Sequence, residues 1–543
     1  MILSHDRIHT FAAALRTASN PWGTVQAVRV QGGRVVAAGA RADVLALRER
    51  GEAVVEPEGA AVLPGLIDTH AHLHGLGLRR DALDWPDDTA PERWAEAVAA
   101  LAATLAPGTW IEGRAWNQSV WTDTHAPRTA DGFPTHAPLT AAAPGHPVVL
   151  HRNDRHAVWA NAAAMRAASI DPDAPAPPSP EGGRVVRTAD GRPSGVFVDH
   201  ACDLITDAIP PLGFDDQVQV VRRFARKFLD RGVTCVHAAM VEPDLLDAYL
   251  QALEGPGAPG LRVRAMVYAE PARLAAWAEA HSPCGLAPDR FAITTLKAFA
   301  DGALGSRGAW MFDDYDGYPG ERGFPVATPE ELAVLAGVAA RRGWQLATHA
   351  IGDRAIHETL TAYDRAAAPD RIRALRWRVE HFQHGRPEDT ALAARLGVRV
   401  SMQPIHCTRD MRFAEALLGA SRSAFAYPWR DALDAGLTVG FGSDFPIESL
   451  DPWEGVHAAV TRQDAHGRPV GGWIPAQRLN RAEALTAYLA TGAALCPIDD
   501  GHLGHLGPGA IADAIATDLD PTEIAPERLP DLQVTWRQLA EAS

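Results

Sequence analysis

Residues 64–75 read PGLIDTHAHLHG. Apolar Val62, Leu63, Leu66 and Ile67 lead into Asp68, and His70, His72 and His74 then follow at every second position. Side chains at i and i+2 share one face of a strand, so His70 and His72 can both point at a single ion. They stand where the strand should end. His74 keeps the same period, but Gly75 and the irregular stretch after it end the strand, and a loop hydrogen bond is the expected role for that ring. Seven more short, β-branched runs recur along the chain, each followed by a stretch of helical length. They are GVTCVHAAM, LRVRAMVYAE, FAITTLKAFAD, WQLATHAIGD, RWRVEHFQH, VRVSMQPIH and LTVGFGSDFPI. Strands alternating with helices imply βαβ units and a parallel sheet, and eight of them are the number that closes a (β/α)8 TIM barrel.

At 543 residues the chain exceeds what one compact core holds, so two or more domains are expected. Residues 62–497 are read as the barrel. Within it, residues 76–215 separate the first two runs by far more than the roughly 2–6 residues of a βα connection. That stretch contains the Pro-rich DPDAPAPPSPEGG and the strand-like PVVLHRND, and is read as an inserted subdomain with the expected role of a lid. Residues 1–61 and 498–543 share a texture of short strands and Gly-Pro turns, and are read as one small β-sandwich built from both termini. Within it TVQAVRVQGGRVVAAG is a hairpin turning at Gly32-Gly33.

Composition removes several function classes. The formal charge is −16 and no basic stripe is present, so a nucleic-acid partner is not expected. No apolar run approaches the ~20 residues of a membrane helix, and MILSHDRIHTF lacks the pattern of a signal peptide. The five cysteines are widely spaced, show no CxxC pair and are odd in number, which fits a reduced, cytoplasmic setting.

Chemistry in a barrel gathers at the C-terminal ends of its strands. Those ends carry His70 and His72 on the first run, Lys297 on the fourth, His349 on the fifth, Glu380-His381 on the sixth and Asp444 on the eighth. Each alone has an ordinary explanation: a hydrogen-bonded rim histidine, a lysine that snorkels to solvent, an aspartate in an Asx turn. Four histidines, a lysine and an aspartate at the strand ends of one barrel point instead to a metal centre. Mixed imidazole and carboxylate ligands suit zinc among the divalent metals. Glu380 should point to the strand face opposite His381 if the strand is regular, and a structural salt bridge is its expected role.

The chain resembles the amidohydrolase superfamily, specifically amidohydrolase family 3, the YtcJ-like metal-dependent hydrolases that include N-substituted formamide deformylases. The matching text is PGLIDTHAH, LKAFADGALGSR, HAIGDRA, RVEHFQH, SMQP, GSDFP and GHLGPGAIADA, with IEGRAWNQ and DRHAVWANAAAMR inside the insertion. The resemblance implies a centre of one or two divalent ions. His70, His72 and Asp444 would bind the first, His349 and His381 the second, and Lys297 would bridge them as a carbamate formed with CO2. An apolar site beside a metal disfavours the ammonium, which leaves the lysine amine neutral and nucleophilic enough for that step.

The reaction so implied is hydrolysis of a non-peptide carbon–nitrogen bond, of amide or N-formyl type, by a metal-activated hydroxide with Asp444 as general base and then acid. Arg307, Trp116, Asn117 and His156 are the candidate substrate contacts, and His357 and His384 are read as surface or supporting residues. Two other readings compete. The same metals could serve ester, lactone or phosphoester hydrolysis or an isomerisation, or the fold could persist as a non-catalytic scaffold. The scaffold would show itself by lost ligands, and none is missing. A homodimer acting on a small molecule is expected.

Overall fold

The computed structural model describes residues 1–74, 83–84, 89–121, 126–210, 212–287 and 290–540. All eight runs are parallel strands of one sheet: β1 (Leu66–Ala71), β2 (Val233–Val241), β3 (Arg262–Val267), β4 (Phe291–Phe299), β5 (Gln345–Ala350), β6 (Arg378–His381), β7 (Arg399–Met402) and β8 (Val439–Phe441). They pair in chain order, and helices on the outside return the chain after most of them. The helix Pro329–Arg342 shows how locally this is encoded. Thr328 and Glu331 form a capping box, Pro329 takes the first turn, and Gly343 at φ 80° ends it before Trp344 leads into β5. Helix Phe214–Asp230 buries Val218, Val221, Phe224, Ala225 and Phe228 at helical spacing against the barrel.

The sheet path ends at β1 and β8, whose ends meet without a ladder among the described residues. The gap is bridged where the chain leaves the strands. Asp444 N–H donates to His70 O at 2.7 Å, and His72 N–H donates to Phe445 O at 2.7 Å. The buried Asp68 carboxylate accepts from His70 N–H at 3.0 Å and Ser443 N–H at 3.1 Å. Barrel closure therefore brings PGLIDTHAH and GSDFP together, residues more than 370 positions apart in sequence.

Below the mouth the barrel interior is polar rather than aliphatic. Arg264 forks onto Asp499 at 2.7–3.0 Å and Arg378 lies beside Glu380, all within a few per cent of full burial. Buried charges of this kind persist only when paired.

Strands Ile2–His9, Thr24–Gln31, Arg34–Gly39, Val54–Val55, Ala61–Pro64, Ala514–Thr517 and Val534–Gln538 form one hydrogen-bonded sheet of seven. The expectation was a sandwich; the hydrogen bonds draw a single sheet. Its hairpin turns at Gly32 and Gly33, both at positive φ, as a two-residue turn between right-twisted strands requires. The first run divides at Gly65: residues 61–64 belong to this sheet and 66–71 to the barrel, and any Cβ at Gly65 would overlap Thr234. Between β1 and β2 lies a third sheet, of six strands drawn from residues 83–199.

Candidate functional site

His70 ends β1 almost fully buried, at 1% exposure. Its Nδ1 meets the Glu380 carboxylate, so the ring proton belongs on Nδ1 and the Nε2 lone pair faces the barrel mouth. Burial, with Lys297 nearby, pushes this imidazole down to about 4 and keeps it neutral. Glu380 in turn pairs with Arg378 Nε at 2.5 Å. The salt bridge expected of Glu380 is present, but its orientation differs from the expectation. His381 sits at φ 73°, outside the strand region, which breaks the alternation. His381 is thereby turned to the mouth, while Glu380 stays fully buried behind the His70 ring.

His381 Nδ1 is bonded to Gln403 Oε1 at 2.8 Å, leaving its other nitrogen for the mouth. Its ring lies 4.9 Å from that of His70 and 4.4 Å from that of His349. Burial holds both His349 and His381 well below the ordinary imidazole range. Asp444, also at positive φ, turns its Oδ1 to within 3.0 Å of His72 Nε2 and 3.4 Å of His70 Nε2. That oxygen is buried and has no well-angled hydrogen bond. One ligand atom from each of His70, His381 and Asp444 lies within 4.8 Å of the other two, a spacing that can hold a metal ion. This set draws on both halves of the ligand list that the resemblance implied.

Lys297 is fully buried on β4, with Nζ 3.5 Å from His70 Nε2 and 4.8 Å from the Phe299 ring centroid. Burial pushes its ammonium down to about 8. His349 stands beside Phe299 in register across β4 and β5, with Nε2 3.4 Å from Gly302 O. Asp301 accepts N–H groups from Trp310, Ile351 and Gly352 at 2.8–3.0 Å, which ties the loops after β4 and β5 together.

Three residues of the site had no assigned role in the sequence. His406 Nε2 lies 3.1 Å from Asp444 Oδ2, and its Nδ1 lies 3.4 Å from Glu448 Oε1. Burial opposes the charge on this ring, but the two carboxylates outweigh it and push the imidazolium up to about 10. The available signal was positional, since His406 closes the seventh run as His70 closes the first. Glu448 and Gln403 offered none. His74 makes the expected loop contact, with Nδ1 3.3 Å from Tyr249 Oη.

His70, Lys297, His349, His381, His406 and Asp444 line a cavity of about 580 Å³, whose opposite wall comes from the insertion through His151, Asp154, His156 and Asp199. His156 Nδ1 is 2.6 Å from Asp199 Oδ1, and its ring stands 5.2 Å from His349. Burial lowers that imidazole, but the Asp199 hydrogen bond and charge carry it above its ordinary value. Three other candidate substrate contacts fall outside the cavity lining. Trp116 is buried among Trp121 and Trp159, and its Nε1–H donates to Leu150 O at 2.7 Å. Asn117 caps a short turn and accepts from Arg152 at 2.8 Å. Arg307 is committed to Glu321 at 2.9 Å and Asp131 at 3.4 Å, over the Tyr318 ring. Local sequence put them near the mouth; long-range packing turned them away.

The sequence model of the amidohydrolase family (Amidohydro_3) matches residues 53–538. The putative amidohydrolase YtcJ of Bacillus subtilis is 29% identical over 484 residues, covering 88% of this chain and 87% of that protein. LONG AFTER FAR-RED 3 of Arabidopsis thaliana is 28% identical over 509 residues, 92% of this chain and 84% of its own length. The N-substituted formamide deformylase of Arthrobacter pascens is 26% identical over 541 residues, 96% and 95% of the two chains. Among solved structures, an uncharacterized metal-dependent hydrolase from Pyrococcus horikoshii OT3 superposes with a TM-score of 0.74 at 25% identity, covering 97% of this chain and 99% of that one. With a family match over nearly its whole length and strand-end ligands gathered at one barrel mouth, the chain belongs to the amidohydrolase family.

Proposed function

We propose that the protein is a metal-dependent amidohydrolase that cleaves a non-peptide carbon–nitrogen bond of amide or N-formyl type. The observation that carries this is the convergence of His70, His381 and Asp444 on one point, with His72 beside them. The donor set fits a divalent ion, zinc above all. Glu380 and Gln403 occupy Nδ1 of His70 and His381, both rings are held neutral, and a buried Asp444 oxygen lacks a hydrogen bond. When bound, the ion supplies Lewis acidity, which polarises a carbonyl and makes water a better nucleophile near neutral pH.

The chain's own groups supply the rest. The Asp444 carboxylate accepts the proton of the attacking water and returns it to the leaving nitrogen. His406 holds Asp444 Oδ2, which leaves Oδ1 turned toward His70 and His72. The insertion supplies one wall of the cavity through His151, Asp154, His156 and Asp199. Lys297, buried and with its ammonium disfavoured, forms the carbamate that adds two anionic oxygens beside His70. The kinship to a formamide deformylase favours N-formyl and simple amides over esters.

The test is zinc-loaded protein against a panel of N-formyl amines, acyl amides, esters and lactones, with bound metal measured alongside. Asp444→Asn should stay folded and hydrolyse the preferred amide ~10²–10⁴-fold more slowly, the scale of general acid–base loss. Near-normal turnover in Asp444→Asn removes it as the base, and preference for esters or lactones overturns the bond assignment.

A further inference from the structure

Asp199 ends the strand Pro193–Asp199 of the insertion at φ 48°, ψ −127°, a conformation costly for any residue with a Cβ. Strained backbone of this kind is kept where the surroundings over-determine it, and it clusters at active sites. The surroundings are present. The Asp199 side chain is 2% exposed and is seated on the loop that follows β4, the strand bearing Lys297. A Cβ at Gly302 would stand 2.5 Å from an Asp199 carboxylate oxygen, and one at Gly308 closer still, so two glycines make room for this one carboxylate. Asp199 Oδ1 accepts from His156 Nδ1 at 2.6 Å, and Asp199 N–H donates to His156 O at 2.9 Å. His156 N–H in turn donates to Asp154 Oδ1 at 3.0 Å. The imidazole is thus held by Asp199 while its backbone is pinned on both sides; it lines the cavity with His70, Lys297, His349 and Asp444, and stands 5.2 Å from the His349 ring.

From this juxtaposition we infer that His156 is a catalytic residue contributed by the insertion, whose Nε2–H donates a hydrogen bond to the substrate's carbonyl oxygen, and that Asp199 positions it. The inference rests on the amidohydrolase reading above and adds to it a donor outside the barrel. A carboxylate on Nδ1 fixes the ring plane and balances the charge of a ring protonated on both nitrogens. A donor held in place before reaction stabilises developing oxyanion charge without reorganising, and loss of one such donor costs ~10²–10³ in kcat. The insertion is then part of the catalytic apparatus as well as a wall of the cavity. A substrate whose acyl oxygen cannot reach that wall is excluded.

The experiment compares zinc-loaded wild type with His156→Ala, His156→Gln, Asp199→Ala and the double alanine variant. It has two readouts: turnover of formanilide and acetanilide, and calorimetric binding of acetohydroxamate, a carbonyl-bearing zinc ligand. Bound zinc and thermal unfolding are followed for every variant. His156→Ala should lower kcat about 10²-fold with KM and zinc content near wild type, and weaken acetohydroxamate about tenfold. Glutamine keeps an N–H donor, so His156→Gln should recover at least tenfold in kcat and most of the binding. Asp199→Ala should match His156→Ala, and the double variant should be no worse than either, as expected of residues acting as a unit. Wild-type-like kcat and binding in folded His156→Ala overturns the inference. So does a glutamine variant as poor as alanine, or additive losses in the double variant. If wild type turns over neither anilide, the amidohydrolase reading fails, while the acetohydroxamate series still decides whether His156 meets a carbonyl oxygen.

Discussion

Glu380→Gln isolates what the buried carboxylate does for the centre. Glu380 is fully buried between two partners: Oε1 lies in ion-pair contact with Arg378 Nε, and Oε2 meets His70 Nδ1. Glutamine has the same shape but only one acceptor. Arg378 is always a donor and takes the amide oxygen, which turns the NH2 group toward His70 Nδ1. The His70 ring must then carry its proton on Nε2, the atom meant to offer a lone pair. A mismatched buried hydrogen bond costs ~1–3 kcal/mol, and supporting groups of this kind are worth roughly 10–100-fold in metal affinity. Zinc affinity measured by chelator competition should fall by about that factor, with turnover falling in parallel at limiting zinc. Losing the charge opposite Arg378 also lowers stability. The loss should be nearer ~3 than 5 kcal/mol, because His237 Nδ1 at 2.9 Å, Thr69 O at 3.2 Å and the Met266 sulfur at 3.0 Å remain around the guanidinium. A folded Glu380→Gln protein whose zinc affinity stays within twofold of wild type would refute the tautomer argument.

Lys297→Ala should lose activity and bound metal together, with partial rescue by short carboxylic acids; an unmodified Lys297 in active, zinc-loaded enzyme rules out the carbamate. Arg307→Ala should leave KM within about twofold, because its guanidinium is turned to Asp131 and Glu321. Those partners are partly exposed, so the stability loss should be only ~1–2 kcal/mol, and a large KM increase would return Arg307 to the substrate. In metal-free protein His406 is pushed up to about 10, above its unfolded value of ~6.5. Its stabilising effect is then complete below about pH 6.5 and lost as pH rises toward 10. Melting temperature should decline across that window in wild type and less steeply in His406→Ala; parallel curves would mean that the ring is not held charged.

The barrel was legible in the sequence because each of its parts is written locally. A two-residue period puts His70 and His72 on one face, β-branched runs mark eight strands, and capping signals such as Thr328 with Glu331 delimit a helix. Strand-end position alone singled out His70, His72, Lys297, His349, His381 and Asp444, and the fold gathers all six around one cavity. What the sequence left undetermined depends on contacts between distant segments. Ala514–Thr517, short and half alanine, is a strand because Ala61–Pro64 and Val534–Gln538 flank it. His381 joins Glu380 on the inner side of the barrel only because it leaves the strand conformation. His406 reaches Asp444, and Asp199 reaches the loop after β4, only once the barrel has closed and the insertion has packed against it. Trp116, Asn117 and Arg307 sit in the same neighbourhood of sequence as true cavity residues, yet Trp116 Nε1, Asn117 Oδ1 and the Arg307 guanidinium are taken by Leu150, Arg152, Asp131 and Glu321. Periodicity tells which face of its own element a side chain occupies. Which distant donor or acceptor then meets it is decided by tertiary packing, where most buried polar groups find a partner.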